Sequence, residues 1–310
     1  MPHVVLNPNA RQLQRHPGLV RELSFLTRGR GRVWVTRNLD ELAVAARSIA
    51  RAPDRVALCG GDGTFMAGVT ALVRATSGQV PPLALIPAGT VATVARQWGA
   101  AGELTASVDR FLRLGPVVPT EEHGTLRVSA DGVARYGFTF GTGLVASFFR
   151  RYEAAGAGGL PAAALIFARV FFGSLVDDGY SRQILDPLPC RLHVEQETLE
   201  PRSYSLIVSS VLTSVGLGLK VTYRASEELE RPHLVASSLP ARRLGPQAFR
   251  VLRGRGLADD SGFDDLVKSF SVSFPAGESG PYVFDGDLFQ ARQIQVSAGP
   301  RIAVVTVPCP

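Results

Sequence analysis

The chain has 310 residues, 45% of them hydrophobic, which suits one large domain or two ordinary ones with packed cores. Lys+Arg 33 against Asp+Glu 27 leaves +6, a balance compatible with phosphate ligands or an anionic surface and proof of neither. Cys59, Cys190 and Cys309 show no metal spacing and are odd in number, which argues against a disulfide framework or zinc site and for a reducing compartment.

Residues 4–6 read as a first strand ending at Asn7-Pro8-Asn9. The start of the chain lacks the charged and apolar regions of a signal peptide. A helix-like segment follows over 13–26, then the loop Arg28-Gly29-Arg30-Gly31-Arg32 and a strand over 33–36 that ends at Thr36. The three arginines read as a solvated loop, or as a contact for an anionic surface or nucleotide. Asn38 and Glu41 have capping-box spacing, and Leu42, Ala46 and Ile49 continue one helical face.

Residues 56–59 are a short apolar run that stops in Gly60-Gly61-Asp62-Gly63-Thr64. Three glycines allow backbone conformations and close approaches that other residues forbid. Phe65, Met66, Val69, Leu72 and Val73 then have helical spacing. A strand, a glycine turn and a helix start together present N–H groups to an anion such as phosphate. The plain alternative is a tight strand-to-helix turn with a solvated Asp62. Residues 83–86 form the next buried strand, ending at Pro87-Ala88-Gly89-Thr90 before a helix over 91–97. Alternating strands and helices predict a parallel sheet covered on both faces, with ligands beyond the carboxyl ends of the strands. Asn7, Thr36, Gly60–Thr64 and Gly89–Thr90 all sit at such ends.

The character changes near Leu114-Gly115-Pro116, giving an α/β domain over 1–115 and a β-rich domain over 116–310. Asp131-Gly132 between alternating runs is a hairpin signal. Helical patterns occupy 144–153 and 160–176; strand patterns occupy 191–195, 204–209, 217–223, 266–274, 294–296 and 302–307. This predicts a β-sandwich-like second domain with inserted helices. Segment 160–176 is too short for comfortable membrane spanning and contains Arg169. It reads as a buried helix, or as the lining of an acyl-chain pocket or a membrane-facing lip.

The order Asn7-Pro8, Gly60-Gly61-Asp62-Gly63-Thr64, Ile86-Pro87-Ala88-Gly89-Thr90, Phe140-Gly141-Thr142-Gly143 and Val283-Phe284-Asp285-Gly286-Asp287 resembles the diacylglycerol kinase catalytic family. That family includes bacterial lipid kinases and the sphingosine and ceramide kinases, and its first domain is like those of NAD kinase and phosphofructokinase. The resemblance implies ATP in a cleft between the domains. It sets Asn7, Thr36, Gly60, Gly61, Gly63, Thr64, Gly89 and Thr90 near the nucleotide. It makes Asp287 the base toward a lipid hydroxyl, with Asp62 the other candidate. Asp287 stands where the family has Glu; the plain alternative for Asp285-Gly286-Asp287 is a type I′ hairpin turn.

The resemblance also implies Mg²⁺, with ligands left open. The family continues Gly-Thr as Gly-Thr-Gly-Asn-Asp, whereas this chain reads Gly89-Thr90-Val91-Ala92-Thr93. Its acidic Asp-Gly pair in the second domain is missing too, with Glu227 or Glu228 as poorly aligned substitutes. The expectation is an ATP-dependent kinase of diacylglycerol or a related lipid. It would be cytoplasmic, peripheral at the inner membrane face and without nucleic-acid partners, with a homodimer left open. The alternatives are a sphingoid-base or ceramide kinase, or a degenerate lipid- or nucleotide-binding pseudokinase. An NAD kinase would need an Asn-rich motif after the glycine turn, and the sequence carries none.

Overall fold

Buried parallel strands are short, apolar runs, because helices cover both faces of their sheet. His3–Leu6 (β1), Val56–Gly60 (β3) and Leu83–Pro87 (β4) follow that rule, and β1 and β3 are buried along their whole length, whereas Arg32–Val35 (β2), at the sheet edge, is only half-buried and starts at an exposed arginine. The computed structural model describes residues 1–89, 92–115, 117–156 and 159–306. The chain forms two compact units: Met1–His123 with the segment from Pro300 onward, and Gly124–Gly299.

The first unit holds one six-stranded sheet in the order β2-β1-β3-β4, then Ile302–Val305, then Thr120–His123 (β5). The first five strands run parallel and β5 is antiparallel to Ile302–Val305. Sequence reading assigned 116–310 to the second domain. The chain instead re-enters the first unit at Pro300, and the division falls at His123–Gly124. A strand that pairs across nearly 180 residues leaves no local mark in the sequence.

The helices of this unit are Arg11–Arg15 (α1), Gly18–Thr27 (α2), Leu39–Arg51 (α3), Asp62–Ala75 (α4), Thr93–Gln97 (α5) and Leu104–Arg113 (α6). The segment expected as one helix over 13–26 is two. Pro17 lies between them, and a proline cannot donate an intrahelical bond. The N-cap half of the expected capping box is present: Asn38 Oδ1 accepts from Glu41 N at 2.8 Å, while Glu41 Oε2 reaches back one residue beyond the cap and accepts from Arg37 N at 2.7 Å. α6 buries Leu104, Val108, Phe111 and Leu112, at helical spacing, against Leu6, Cys59 and Ile86. Each such side chain contributes about 1.5–3 kcal/mol by leaving water. Arg30 is not free for a ligand: its guanidinium pairs with Asp109 at 2.8 Å.

In the second unit, Leu126–Ala130 (β6), Val133–Gly137 (β7) and Thr139–Gly143 (β8) follow one another. The β6–β7 hairpin turns through Asp131 (φ 47°) and Gly132 (φ 81°), the type I′ geometry its sequence signals. Two six-stranded antiparallel sheets form. One runs Glu197–Thr198, Arg191–Val194, Ser269–Ser273, Gln293–Ala298, β6, β7; the other runs Phe263–Leu266, His233–Ser237, Leu206–Ser210, β8, Gly280–Phe284, Asp287–Ala291. Phe140 of β8 meets Phe270 of the first of these sheets with ring centroids 5.7 Å apart. The opposite face of β8's sheet carries Leu206, Val208 and Val235, which cluster with Ile166, Val170 and Ile184. Those last three belong to Leu160–Val176 (α8) and Gly179–Leu185 (α9); Leu144–Ala154 (α7) packs beside them.

Segment 217–223, expected as a strand, is a chain of turns. Gly216, Leu217 and Gly218 have φ of 111°, 49° and 74°, which no ladder tolerates. Segment 266–274, expected as one strand, is two, and they lie in different sheets.

Candidate functional site

The site is best built from the strand ends of the first unit. β2, β1, β3 and β4 are neighbours and parallel, so Thr36, Asn7, Gly60 and Gly89 arrive side by side at one edge of the sheet. Thr36 is buried and its amide donates to Leu6 O at 2.9 Å. Asn7 Nδ2 donates to Thr64 Oγ1 at 2.9 Å, which ties the end of β1 to the first turn of α4. Asn7 Oδ1 accepts from Asn9 N, also at 2.9 Å, so the amide orientation is fixed from both sides.

The glycines have distinct reasons. A Cβ on Gly60 would stand 2.4 Å from the Thr64 side chain. Gly89 lies against Gly61, where a Cβ would meet Gly61 Cα at 2.7 Å. The amides of Ala88 and Gly89 both donate to Gly60 O, at 2.8 and 3.1 Å, locking the β3 and β4 turns together. Gly61 is the N-cap of α4, which places the N–H groups of Asp62, Gly63 and Thr64 in a first turn with no helical acceptors. With the helix dipole this is an anion-holding geometry. Thr90 and Val91 lie outside the described residues.

Asp62 has a structural occupation. Its Oδ2 accepts from Thr93 N at 2.9 Å and its Oδ1 from Val94 N at 3.1 Å, capping α5. Desolvation by burial pushes its carboxyl above the ordinary range, and those amide bonds oppose the rise. Sequence reading did not see this link, because its partners are backbone groups thirty residues on. A cavity of about 100 Å³ lies nearby, lined by Ile86, Pro87, Trp98, Ser107 and Val305 among others. It is smaller than the several hundred Å³ of a ligand pocket.

In the second unit, Asp285 (φ 48°) and Gly286 (φ 92°) form a type I′ turn joining Gly280–Phe284 to Asp287–Ala291. Two carboxylates two residues apart do different things. Asp285 is buried; its Oδ2 accepts from Phe138 N at 2.9 Å and its Oδ1 from Thr139 N at 2.8 Å. Gly137 makes room, since a Cβ there would meet Asp285 Oδ2 at 2.0 Å. Asp287 is exposed at the start of its strand, yet its carboxyl sits above the ordinary range. Crowding by neighbouring atoms is the larger cause and the Glu153 charge adds to it, while Arg135 opposes. Asp287 is therefore the carboxylate of this turn that water and a substrate can reach. Asp285 is a fold residue that sequence reading passed over as the first residue of a turn.

The Phe140-Gly141-Thr142-Gly143 motif is structural as well. A Cβ on Gly141 would meet Val145 of α7 at 2.7 Å, and Gly143 has φ 67° with Ser205 O 2.5 Å from a would-be Cβ. Glu227, a substitute metal ligand in sequence reading, pairs with Arg224 at 3.1 Å. Among the described residues no three His, Cys, Asp or Glu side chains converge to hold a metal ion. With Asp62 also engaged by amides, the described residues do not make a protein cage for Mg²⁺.

Residues 2–117 match the diacylglycerol kinase catalytic domain. The fold is shared with solved structures from Bacillus anthracis str. Sterne. A provisionally named diacylglycerol kinase aligns with TM-score 0.68 and 14% identity over 99% of this chain and 97% of that one. A diacylglycerol kinase structure aligns with TM-score 0.61 and 15% identity over the same shares. At such identity the likeness shows the fold alone. No curated protein matches the chain.

Proposed function

We propose that the protein is an ATP-dependent lipid kinase acting on the hydroxyl of diacylglycerol or a related lipid. The observation that carries this is the Gly61–Gly89 backbone contact beside the first turn of α4, tied by Asn7 to Thr64, within the segment that matches the kinase family. Phosphoryl transfer needs little covalent help from a protein; it needs phosphates positioned and their charge met by N–H donors. Asn7, Thr36, Gly60, Gly61, Gly63, Thr64 and Gly89 are the residues we assign to the nucleotide, and Thr90 joins them on the resemblance.

In the reaction we assign, the lipid hydroxyl oxygen forms a bond to the γ-phosphorus while the bond from that phosphorus to the β,γ-bridging oxygen breaks. ADP leaves with that electron pair, and the hydroxyl proton passes to Asp287. A carboxyl above the ordinary range, open to solvent, is suited to that exchange. Asp62 serves by holding α5 against the turn, since its two oxygens already accept amides. On this reading the protein works in the cytoplasm at the inner membrane face.

A second reading, binding without transfer, is favoured by one observation: no described carboxylate cluster can hold a metal. Labelled ATP offered with a panel of diacylglycerol, sphingoid base and ceramide, with and without magnesium, separates the two. Label in a lipid supports the kinase; lipid binding with no label in any lipid and no ATP-dependent thermal shift supports the binding protein.

A further inference from the structure

α8 is apolar nearly all round, and its sequence leaves open a core helix, an acyl-pocket lining or a membrane-facing lip. The structure buries Ile166 and Val170 but leaves Leu165 at 72%, Phe172 at 65% and Val176 at 76% exposed. These three recur at seven and four residues, so they share one face. The face continues onto Ala248–Leu252, where Phe249 is 54% exposed. Phe171 joins the two, with its ring centroid 5.3 Å from Phe172 and 5.0 Å from Phe249. Scattered exposed apolar residues are ordinary, but a contiguous aromatic and aliphatic patch marks an interaction surface.

Charge identifies the partner. Residues 241–255 read Ala-Arg-Arg-Leu-Gly-Pro-Gln-Ala-Phe-Arg-Val-Leu-Arg-Gly-Arg, five arginines and no acidic residue. Arg242, Arg243, Arg250, Arg253 and Arg255 are all exposed on the segment that carries Phe249, and exposed Arg169 lies on α8 itself. An apolar face set in arginines matches an anionic bilayer, where side chains enter the headgroup boundary and cations meet the lipid phosphates. Among the described residues no helix is long and apolar enough to cross a membrane, so contact by this face is surface contact.

We propose that the exposed face of α8 together with Ala248–Leu252 docks the protein on an anionic lipid bilayer. The choice of a bilayer over another polyanion rests in part on the lipid-kinase reading. Binding is measured without nucleotide, so its failure leaves phosphoryl transfer standing, and loss of transfer leaves binding standing.

The test is co-sedimentation of the full chain with vesicles of phosphatidylcholine alone and with about one third phosphatidylglycerol. Wild type is expected to partition at least ~10-fold more strongly onto the anionic vesicles, and less at high salt. F172S/F249S is expected to lose ~10-fold or more on anionic vesicles. R242Q/R243Q/R250Q/R253Q is expected to lose the preference for phosphatidylglycerol. Both sets of side chains are exposed, and circular dichroism and thermal unfolding verify folding. F25S, at an exposed site on α2, is the control expected to bind as wild type. Equal binding of wild type to both vesicles, no binding to either, or F172S/F249S binding as wild type would each overturn the proposal. So would a wild-type dimer that F172S/F249S converts to monomer without any vesicle binding, which would make a second copy the occupant.

Discussion

Gly89 packs its backbone on Gly61, so closely that a Cβ on Gly89 would stand 2.7 Å from Gly61 Cα, whereas one on Gly61 would stand an ordinary 3.5 Å from Gly89 Cα. The contact is asymmetric, and this gives a prediction. Gly89→Ala is expected to cost about 1–3 kcal/mol of stability, because backbone must move away from backbone. Gly61→Ala, at an N-cap that tolerates alanine poorly but sterically fits, is expected to cost about 1 kcal/mol or less. Urea denaturation measures both. The thermal shift produced by ATP is expected to shrink further in Gly89→Ala than in Gly61→Ala. Equal stabilities would show that the turns relax independently.

The Asn7–Thr64 hydrogen bond links two of the sequence-selected residues across 57 positions. A double-mutant cycle of Asn7→Ala and Thr64→Ala is expected to give a coupling of about 0.5–1.5 kcal/mol. A coupling indistinguishable from zero would mean that Asn7 does not organise the turn.

Asp285 holds the β7–β8 corner through two amides. Asp285→Ala strands a buried Phe138 N–H and places alanine at φ 48°, so a loss of about 3 kcal/mol is expected. Asp285→Asn keeps one acceptor and a side chain that accepts positive φ, so it is expected to retain roughly half of that stability. Thermal unfolding of the two variants decides the point. Equal losses would place the cost in the second carboxylate acceptor and not in the backbone, because asparagine fits φ 48° and alanine does not.

The nucleotide-side edge was readable because its cues are local. Val56 to Cys59 is an apolar run, and Gly60, Gly61 and Gly63 follow at once, so strand, turn and helix are written consecutively. The Asp131-Gly132 hairpin and the bounds of α8 were readable for the same reason. What escaped notice depends on partners distant in sequence. The return of Ile302–Val305 to the first unit is a pairing with Leu83. The separate tasks of Asp62 and Asp285 rest on amides 31 and 147 residues away. For α8 the sequence left a buried helix, an acyl-pocket lining and a membrane-facing lip open, since an all-apolar helix has no polar face to announce its orientation; the exposure of Phe172 is read only from the structure.

The pH dependence of the reaction tests Asp287 as the base. A base must be ionised, so activity rises with pH through its pKa, which desolvation by neighbouring atoms and Glu153 hold above the ordinary carboxylate value and Arg135 pulls down. Glu153→Gln removes a raising charge, and the acid limb of kcat/KM is expected to move to lower pH. Arg135→Gln removes a lowering charge, and the limb is expected to move to higher pH. Limbs that stay fixed in both variants would assign the titration to another group.

The most direct measurement is transfer of label from γ-labelled ATP to a lipid panel by wild type and Asp287→Asn, with nucleotide binding followed in parallel by thermal shift. The account predicts label in diacylglycerol or another lipid hydroxyl for wild type, a loss of about 10²–10⁴-fold in Asp287→Asn, and an ATP-dependent thermal shift unchanged between them. Folded wild type that labels no lipid, or Asp287→Asn that labels lipid at the wild-type rate, would contradict it.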